Sequence, residues 1–387
     1  MRPVTSPEAV SIHKERRVLF QFLFASSAVS GVNHFQPANA QDFFENFTVP
    51  QMPEAPQPKG LVPKLLPFQR RALNWMLRRE SPIPPTGIPA AGAGSHPLWE
   101  RITLSSGDHM LINRIAGAMT TEVATLEQED VLGGILAEEM GLGKTVEIIA
   151  LVCAHPWTSS ATPPATGEEL SLLPCKTTLI VSPASIVFQW VSELEQHAPD
   201  LKVCVYEGIK VKDVTPEELS AFDVVLTTYE VLRKEVHYAQ DEESTRQLRA
   251  PRKYQLPKSP LAKLQFWRVC LDEAQMVEST TANAAEMAQK LRAVNRWAVT
   301  GTPIGRNGIE DLYGLLLFLD KQPWSDHFWW RHLTELPDRE ELLLKLLQGL
   351  LWRSRKRDVL EEIRLPPQEE ETIFLNFSPI ESANYKM

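Results

Sequence analysis

Five short apolar runs stand out along the chain, and none of them alternates apolar with polar positions. They are GGILA (133–137), TTLIVSP (177–183), DVVLTTYE (223–230), RVCLDEAQ (268–275) and RWAVTGTP (296–303). Unbroken runs of this length are typical of strands buried on both faces of a parallel sheet. Segments with helical spacing separate them, for example 187–198 and 281–294. The pattern therefore predicts an α/β fold, a parallel sheet with helices on both faces.

An amphipathic helix is predicted upstream of the first strand. In LVPKLLPFQRRALNWMLRRE (61–80), five apolar residues recur at helical spacing: Leu65, Phe68, Ala72, Trp75 and Met76. Proline-rich stretches flank this segment and read as linkers or loops. The stretches 155–174 and 240–260 have little apolar content, and we expect both to be surface insertions, with 240–260 the first target of limited proteolysis.

Each strand-like run ends in small, polar or acidic residues. Ligands of open α/β sheets bind beyond the carboxyl ends of the strands, so these endings are expected to form one site. The first ending, LAEEMGLGKTVEIIAL (136–151), has the Gly-Lys-Thr of a phosphate-binding loop, but Glu138 replaces the first glycine of that pattern. Taken alone, it indicates either a nucleotide site or a glycine-rich helix start in an unrelated enzyme.

The ending Asp272-Glu273 follows another apolar strand. In a nucleotide site of this kind, Asp272 would hold Mg²⁺ through its water shell, and Glu273 would orient and deprotonate an attacking water. A solvated loop is the alternative for an isolated acidic pair. The position after a strand, and before another run that ends in Thr300-Gly301-Thr302, favours the catalytic interpretation.

Composition and charge narrow the possible functions. The formal net charge is −9, so any contact with nucleic acid must be local, because a dedicated binder carries a strongly basic domain. The four cysteines form no C-x-x-C pair, which excludes a zinc-finger or RING cluster and indicates a reducing compartment. No run of about 20 apolar residues is present, so no membrane association is expected.

Taken in order, the motifs GGILAEEMGLGKTVE, LIVSPASIVFQW, VVLTTYEVL, LDEAQMVE and WAVTGTPI resemble the first RecA-like lobe of the Swi/Snf ATPases, in helicase superfamily two. The resemblance covers residues from about 61 to 387, and this family often has aspartate where Glu138 stands. It implies that the chain binds ATP and Mg²⁺. The implied cofactor-binding residues are Gln69, Glu139, Met140, Gly141, Leu142, Gly143, Lys144 and Thr145.

The resemblance also implies a role for several individual residues. Lys144 would reach the β and γ phosphates, Thr145 and Asp272 would bind the metal, and Glu273 would act on water. Gln69 would read the adenine edge, although a solvent-facing helix glutamine is the alternative. Gln275 would sense the γ-phosphate and pass the signal to Thr300 and Thr302. The family often has glutamine where this chain has Gly305, which is a departure from the pattern.

Duplex DNA is the partner that the resemblance implies, through phosphate contacts without sequence readout. Candidate contacts are Ser182-Pro183-Ala184 and Thr227-Thr228, which could equally cap helices. The basic cluster Arg353, Arg355, Lys356 and Arg357 is either a solvated helix face or a further DNA contact. DEAQMVE and LLPFQRRALNWML resemble the subgroup of translocases that carry RING ubiquitin-ligase domains. Nucleosome or ubiquitin machinery, bound through domains absent here, and a nuclear location are therefore expected.

We expect three regions: an N-terminal extension (1–60), an ATP-binding lobe (61–325) and a helical segment (326–387) that leads toward a second lobe. Insertions of the lobe are expected at 81–125, 155–175 and 233–262.

Two hypotheses remain. Either the chain is a fragment of a DNA-dependent ATPase, inactive in isolation, or it is a module that binds a nucleotide or partner without turnover. An RNA helicase is less consistent with DEAQ, because that branch usually has Asp-Glu-Ala-Asp.

Overall fold

The computed structural model describes most of the chain from Phe44 onward. The described residues are 44, 47–81, 100–103, 109–113, 118–120, 131–158, 172–239, 258–277, 282–305, 308–335, 339–363, 371–374 and 377–385. Most of the predicted loop at 240–260 and most of the N-terminal extension lie outside them. Among these residues, no helix combines the length and the apolar character needed to cross a bilayer.

The described strands and helices alternate through the central part of the chain. The strands are β1 (Glu100–Thr103), β2 (His109–Asn113), β3 (Ala118–Thr120), β4 (Gly133–Leu136), β5 (Leu173–Ser182), β6 (Val203–Val205), β7 (Val224–Thr228), β8 (Leu264–Asp272), β9 (Arg292–Val299) and β10 (Leu351–Trp352). The helices are α1 (Pro67–Arg79), α2 (Lys144–Ala154), α3 (Val187–His197), α4 (Pro216–Ser220), α5 (Tyr229–Glu235), α6 (Asn283–Lys290), α7 (Glu310–Leu319), α8 (His327–Glu335), α9 (Arg339–Leu350), α10 (Lys356–Ile363) and α11 (Pro379–Tyr385).

Seven strands form one parallel sheet in the order β10-β4-β9-β8-β5-β7-β6. Strands β4, β9, β8, β5 and β7 are those that the apolar runs predicted. A separate antiparallel sheet, β1-β2-β3, lies within the predicted insertion at 81–125. The order of the parallel sheet confirms the predicted α/β, RecA-like class.

Helices cover the parallel sheet on both faces. Successive strand residues point to opposite sides, so neighbouring residues of one strand pack into different cores. On β5, Leu179 packs into a core with residues of α5, α6 and α7, whereas Ile180 packs into a second core with residues of α1, α2 and α3. Both residues are fully buried. This arrangement explains why the strands are apolar at consecutive positions.

The prediction of a helix over 281–294 is wrong at its end. Helix α6 ends at Lys290, and the next strand, β9, begins at Arg292. Pairing with β8, where Gln265 lies opposite Arg292 and Phe266 opposite Ala293, replaces the last helical turn. Similarly, β5 begins at Leu173, inside the region expected to be an insertion.

The described residues after 326 lie mostly in helices, and two of them complete the sheet. Strand β10 pairs with β4, and α10 then packs on α1. The carboxylate of Glu362 accepts hydrogen bonds from the backbone N–H of Phe68 (2.6 Å) and from Arg71 (2.5 Å). Residues 351–363 are therefore joined to the first elements of the lobe.

Candidate nucleotide-binding site

The phosphate-loop motif connects the carboxyl end of β4 to the start of α2. Gly141 and Gly143 have φ values of 87° and 93°, a left-handed conformation that glycine adopts without strain. Gly143 is the N-cap of α2, and no side chain caps this helix end. The first N–H groups of a helix have no intrahelical acceptor and favour an anion. The loop therefore fits a phosphate group.

Lys144 lies between the loop and the acidic pair. Its Nζ donates a hydrogen bond to the carbonyl of Glu138 (3.0 Å). Burial lowers the pKa of Lys144, whereas the nearby carboxylates of Glu273 and Asp272 act in the opposite direction. The structure thus brings together the lysine and the acidic pair that the sequence predicted, although they are far apart in the chain.

Asp272 is held at the end of β8 by donors from two elements. The indole Nε1 of Trp190 donates to its Oδ2 (2.7 Å), and the backbone N–H of Glu273 donates to its Oδ1 (3.0 Å). Burial raises the pKa of this carboxyl. Each oxygen keeps a further lone pair, so Asp272 can still accept a bond from a metal-bound water. Sequence reasoning did not identify Trp190.

Glu273 begins a chain of hydrogen bonds that crosses from β8 to β9. Gln275 Nε2 donates to Glu273 Oε2 (2.7 Å), and the hydroxyl of Thr300 donates to Gln275 Oε1 (2.8 Å). The N–H of Thr302 in turn donates to Thr300 Oγ1 (3.1 Å). Gln275, Thr300 and Thr302 are the residues in which the sequence predicted a sensor and its connection, and the structure joins them to Glu273. Glu273 also has a φ of 49°, a conformation that is uncommon outside glycine and concentrates at functional sites.

Gln69, near the start of α1, lies against the phosphate loop and is buried. Its Nε2 donates to the carbonyl of Leu142 (3.0 Å), and its Oε1 accepts from the N–H of Leu66 (3.0 Å). A Cβ added at Gly143 would lie 2.6 Å from Gln69 Nε2. The alternative of a solvent-facing glutamine is therefore wrong. One amide N–H and one lone pair remain for a ligand, so adenine reading stays a prediction.

The remaining residues predicted to bind the cofactor line the loop in different ways. The Oε2 of Glu139 accepts from the N–H of Lys356 (2.7 Å), and Leu142 packs in a small apolar cluster with Phe68 and Val359. Met140 is 59% exposed at the tip of the loop. Thr145 lies in the first turn of α2 and is half-buried.

Glu138 replaces the first glycine of the loop pattern, and its carboxylate is fully buried. It accepts hydrogen bonds from Trp352 Nε1 (2.9 Å), the N–H of Ser354 (2.7 Å) and the hydroxyl of Ser354 (2.9 Å). Burial raises the pKa of Glu138, and the bonds from Ser354 oppose that shift. The acidic side chain thus binds a segment that is distant in sequence, which the motif alone could not indicate.

Glu147, one turn into α2, is a buried acidic residue that the sequence analysis missed. Neither of its carboxylate oxygens has a hydrogen-bond partner among the described protein groups. Burial raises the pKa of Glu147 well above its usual range, and the charge of Glu138 acts in the same direction. The only signal in the sequence is its spacing, three residues after Lys144, on the face that also carries the buried Leu151.

The candidate DNA-contact residues have internal roles in several cases. The hydroxyl of Thr227 donates to the carbonyl of Tyr206 (2.9 Å), and Thr228 is the N-cap of α5. Ser182 is buried, whereas Ala184 is exposed. The hydroxyls of both threonines therefore have roles inside the domain, in capping or packing. Phosphates could still be contacted by backbone amides and by Ala184.

The basic cluster after β10 is not a uniform solvated face. Arg353 Nη1 donates to the carbonyls of Ala137 (2.7 Å) and Gly301 (3.2 Å). Arg355 forms an ion pair with Asp358 (2.6 Å), and Arg357 lies 3.8 Å from the same carboxylate. Arg353 is consequently occupied within the domain.

No preformed protein metal centre is found in the described part of the chain. It contains no group of three or more histidine, cysteine or acidic residues positioned to hold a metal, and its four cysteines are free thiols. Mg²⁺ in nucleotide sites is usually bound by one or two side chains together with phosphates and water. The assignment of Thr145 and Asp272 to Mg²⁺ stays a prediction.

The parallel sheet, the glycine-rich loop before α2 and the acidic pair after β8 define a RecA-like α/β protein with a phosphate-binding loop. The family model of the SNF2-related domain matches residues 68–387, and the chain belongs to this family. The interpretation of the motifs as a Swi/Snf-type ATPase lobe is thereby confirmed.

Curated proteins similar to this chain include ubiquitin ligases and DNA repair proteins. The chain is 44% identical over 221 residues to human E3 ubiquitin-protein ligase SHPRH, which covers 54% of this chain and 13% of that protein. It is 32% identical over 381 residues to DNA repair protein RAD5A of Arabidopsis thaliana, which covers 86% of this chain and 35% of that protein. The resemblance to the ubiquitin-ligase subgroup is confirmed, and the chain spans about a third or less of these relatives.

A solved structure also matches, the Sulfolobus solfataricus SWI2/SNF2 ATPase core in complex with double-stranded DNA. The TM-score is 0.48 at 21% identity, over 86% of this chain and 53% of that one.

Proposed function

We propose that this domain binds Mg-ATP at the loop 138–145 and forms the first half of a DNA-dependent ATPase and translocase of the Swi/Snf type. One observation carries the proposal: the loop, the acidic pair and the Gln275–Thr300 connection meet at one edge of the sheet. Lys144 lies among these groups, where its positive charge favours bound phosphate. The phosphate loop and the acidic pair are therefore both close to the Lys144 ammonium.

In the proposed site, the backbone N–H groups at the start of α2 and the Nζ of Lys144 bind the phosphates. Thr145 and Asp272 contribute ligands or water contacts to Mg²⁺, which when bound neutralises phosphate charge. Glu273 orients a water and accepts its proton, and Gln275 holds the Glu273 carboxylate at 2.7 Å. Gln69 reads the adenine edge through the amide N–H and the oxygen lone pair that are not used by Leu142 and Leu66.

The proposal separates binding from turnover. Arg353 makes its two contacts with backbone carbonyls, so it is not directed at a reacting phosphate. An arginine placed against the γ-phosphate raises the rate of such reactions by roughly 10³–10⁵. We propose that this arginine comes from outside residues 1–387, in the second lobe. The isolated chain then binds Mg-ATP with little turnover, with or without duplex DNA.

The experiment is a calorimetric titration of the chain with Mg-ATP. Lys144→Ala should weaken binding strongly, because it removes the cation that contacts the phosphates, whereas Glu273→Gln should leave affinity near that of the parent. Equal affinity in the parent and Lys144→Ala would remove the site from this loop. A steady-state ATPase assay, with Glu273→Gln as the control for contamination, tests the proposed low turnover. Robust DNA-stimulated turnover that vanishes in the control would contradict it.

The remaining assignments follow from the family and are proposals for the whole protein. They are a nuclear location, sequence-independent binding of duplex DNA, and work on chromatin or damaged DNA together with ubiquitin machinery. The names of the relatives, an E3 ubiquitin-protein ligase and a DNA repair protein, support them. The alternative, a non-catalytic module, predicts that a chain extended by any downstream sequence in frame still lacks DNA-stimulated turnover.

A further inference from the structure

The segment Leu351–Asp358 (LWRSRKRD) lies alongside the entry to the phosphate loop. Backbone pairing continues past β10: the N–H of Ala137 donates to the carbonyl of Trp352 (2.7 Å), and the N–H of Glu139 donates to that of Ser354 (3.1 Å). A two-residue strand is thereby extended beside residues that lead directly into the loop. The side chain of Arg353 is placed against the loop as a result.

Glu138 fixes this segment from the side of the loop. All three donors to its buried carboxylate come from Trp352 and Ser354, the two neighbours of Arg353. Loss of these donors would leave a buried carboxylate unpaired, which would strongly destabilise the fold. The contact is therefore kept in the folded domain. Glu138 therefore holds the backbone on both sides of Arg353.

The guanidinium of Arg353 bridges two loops that carry the proposed chemistry. Its Nη1 donates to the carbonyl of Ala137, which precedes the phosphate loop, and to that of Gly301, which separates Thr300 from Thr302. The guanidinium also lies 5.1 Å from the ring centroid of Phe44. A cation over an aromatic face is further stabilised there.

The turn at Gly301 lies directly against the loop. A Cβ added at Gly301 would be 3.1 Å from Met140 Cγ and 3.5 Å from Lys144 Nζ. Any change in the spacing of these two loops would thus move Lys144 relative to the Thr300 hydroxyl. That hydroxyl belongs to the hydrogen-bond chain from Glu273.

We propose that Arg353 is a positioning residue, a clamp that keeps the phosphate loop and the Thr300–Thr302 turn at a fixed spacing, with Glu138 as its anchor. The functional part of this inference rests on the proposed nucleotide site. The clamp sets the distance between Lys144 and the Gln275–Thr300 connection, so it determines how well the site distinguishes ATP from ADP. In the described structure, the hydrogen bonds of the Arg353 guanidinium go to two carbonyl groups of the domain.

Amide hydrogen exchange of the nucleotide-free chain tests the clamp separately from nucleotide binding. In Arg353→Gln, the N–H groups of Glu139 and Thr302 should exchange about tenfold faster or more, because hydrogen bonds from a charged donor no longer hold the two loops. Exchange in the central part of β5 should stay unchanged. Arg355→Gln is the matched control, since Arg355 bonds to Asp358 and Phe44 but to neither loop, and should leave both N–H groups protected.

Competition between ATP and ADP for a fluorescent nucleotide provides the second readout. Arg353→Gln should reduce the ratio of ATP to ADP affinity by about fivefold or more, because a coupling of this size is typical between linked sites. Arg355→Gln should keep the parent ratio. A general loss of fold would lower both affinities together and lower the melting temperature, which separates it from a positioning effect.

Parent-like exchange at Glu139 and Thr302 in a folded Arg353→Gln protein would overturn the clamp. Faster exchange at both positions in a chain that binds no nucleotide would retain the clamp and reject the proposed function instead. If Arg353→Gln does not fold, Arg353→Lys takes its place. The lysine side chain is one bond shorter, so its amine does not reach the position of Nη1, from which both carbonyls are contacted. Exchange at one or both positions should therefore still rise, and parent-like exchange at both would again overturn the proposal.

Discussion

Two buried polar clusters lie at opposite ends of helices α1 and α2, and they differ in how completely their charges are paired. At the far ends, where α1 meets Glu80 and α2 meets His155, Glu80 forms a bidentate ion pair with Arg268. At the near ends, Lys144 lies among several carboxylates, and the oxygens of Glu147 have no partner among the described groups. The charges of the first cluster are paired with each other, whereas the second cluster contains carboxylate oxygens without a hydrogen-bond partner.

The Glu80 cluster shows what a structural ion pair requires. Both Glu80 and Arg268 are fully buried, and the Glu80 carboxylate also accepts from Trp297 Nε1 (2.8 Å) and contacts His155 Nδ1 (2.6 Å). Burial raises the pKa of Glu80, but the charge of Arg268 and the hydrogen bonds with Arg268 and His155 together outweigh this effect, so the pKa is lowered overall. A cluster of this kind stabilises the fold and offers nothing to a ligand.

In the cluster at the phosphate loop, burial disfavours the charged form of each ionisable group, and some of these groups remain available to a ligand. Desolvation raises the pKa of Asp272, Glu138 and Glu147 and lowers that of Lys144. Such opposing shifts gather at sites that bind or react, although structural networks can produce them as well. The comparison teaches that incomplete pairing, and not burial of charge as such, distinguishes the end of the sheet at which we propose the nucleotide site.

The largest expected effect is the loss of Arg268. Arg268→Met should reduce the free energy of unfolding by about 3–5 kcal/mol, because it leaves the Glu80 carboxylate buried without its main partner. Urea denaturation followed by tryptophan fluorescence measures this change. The double variant Glu80→Gln with Arg268→Met is the control and should recover part of the loss, since no uncompensated charge remains. Equal stability of the single and double variants would show that the ion pair is not what holds the cluster.

The next effect concerns Glu147 and depends on pH. Its pKa is raised in the folded state, so its contribution to stability is fully present below the unfolded pKa and is lost as pH rises toward the folded value. As pH rises above about 4.5, the parent should lose stability relative to Glu147→Gln, with a slope of at most roughly 1.4 kcal/mol per pH unit. Unfolding of both proteins at pH 5, 6 and 7 tests this. A difference that does not change with pH would show that Glu147 is ionised in the folded chain.

A smaller effect on stability, but a specific one on binding, is expected at Gly143. Gly143→Ala should lower the free energy of unfolding by about 1–2 kcal/mol, because alanine is strained in the left-handed backbone conformation of this position. The variant should also bind Mg-ATP more weakly, because the new Cβ collides with Gln69. Gly60→Ala is a matched control. Gly60 also has a positive φ, of 82°, but a Cβ there would meet no atom within 4 Å. The control should show the strain without the loss of affinity, and equal affinity in both variants would contradict the placement of Gln69.

The difference between the two clusters also explains what could be predicted from the sequence. The phosphate loop, the acidic pair and the Gln275–Thr300 connection are short motifs at strand ends, so pattern and topology were enough to bring them together. Glu80 and Arg268 carry no such signal, because their partnership spans 188 residues and depends on the packing of α1 against the sheet. The donors to Glu138 were missed for the same reason, since Trp352 lies in a strand of only two residues and Ser354 follows that strand.

Element ends were the least predictable part of the fold. Residues 292–294 have an apolar spacing that a helix could continue, yet pairing with β8 makes them strand. Strand β6 was missed because its three residues, Val203–Val205, are too few for a pattern to be distinguished from a loop. In both cases a neighbouring strand, and not the local sequence, determines the structure.

The most direct test of the account is one thermal unfolding measurement, made with and without saturating Mg-ATP, on the parent, Lys144→Ala and Arg268→Met. A ligand present at about 100 times its Kd stabilises the folded state by roughly 2.7 kcal/mol. The account predicts that Lys144→Ala keeps a Tm near that of the parent but shows no increase with Mg-ATP. It predicts that Arg268→Met has a lowered Tm that still increases with Mg-ATP. A full ligand-induced increase in Lys144→Ala would contradict the assignment of the nucleotide site to this end of the sheet.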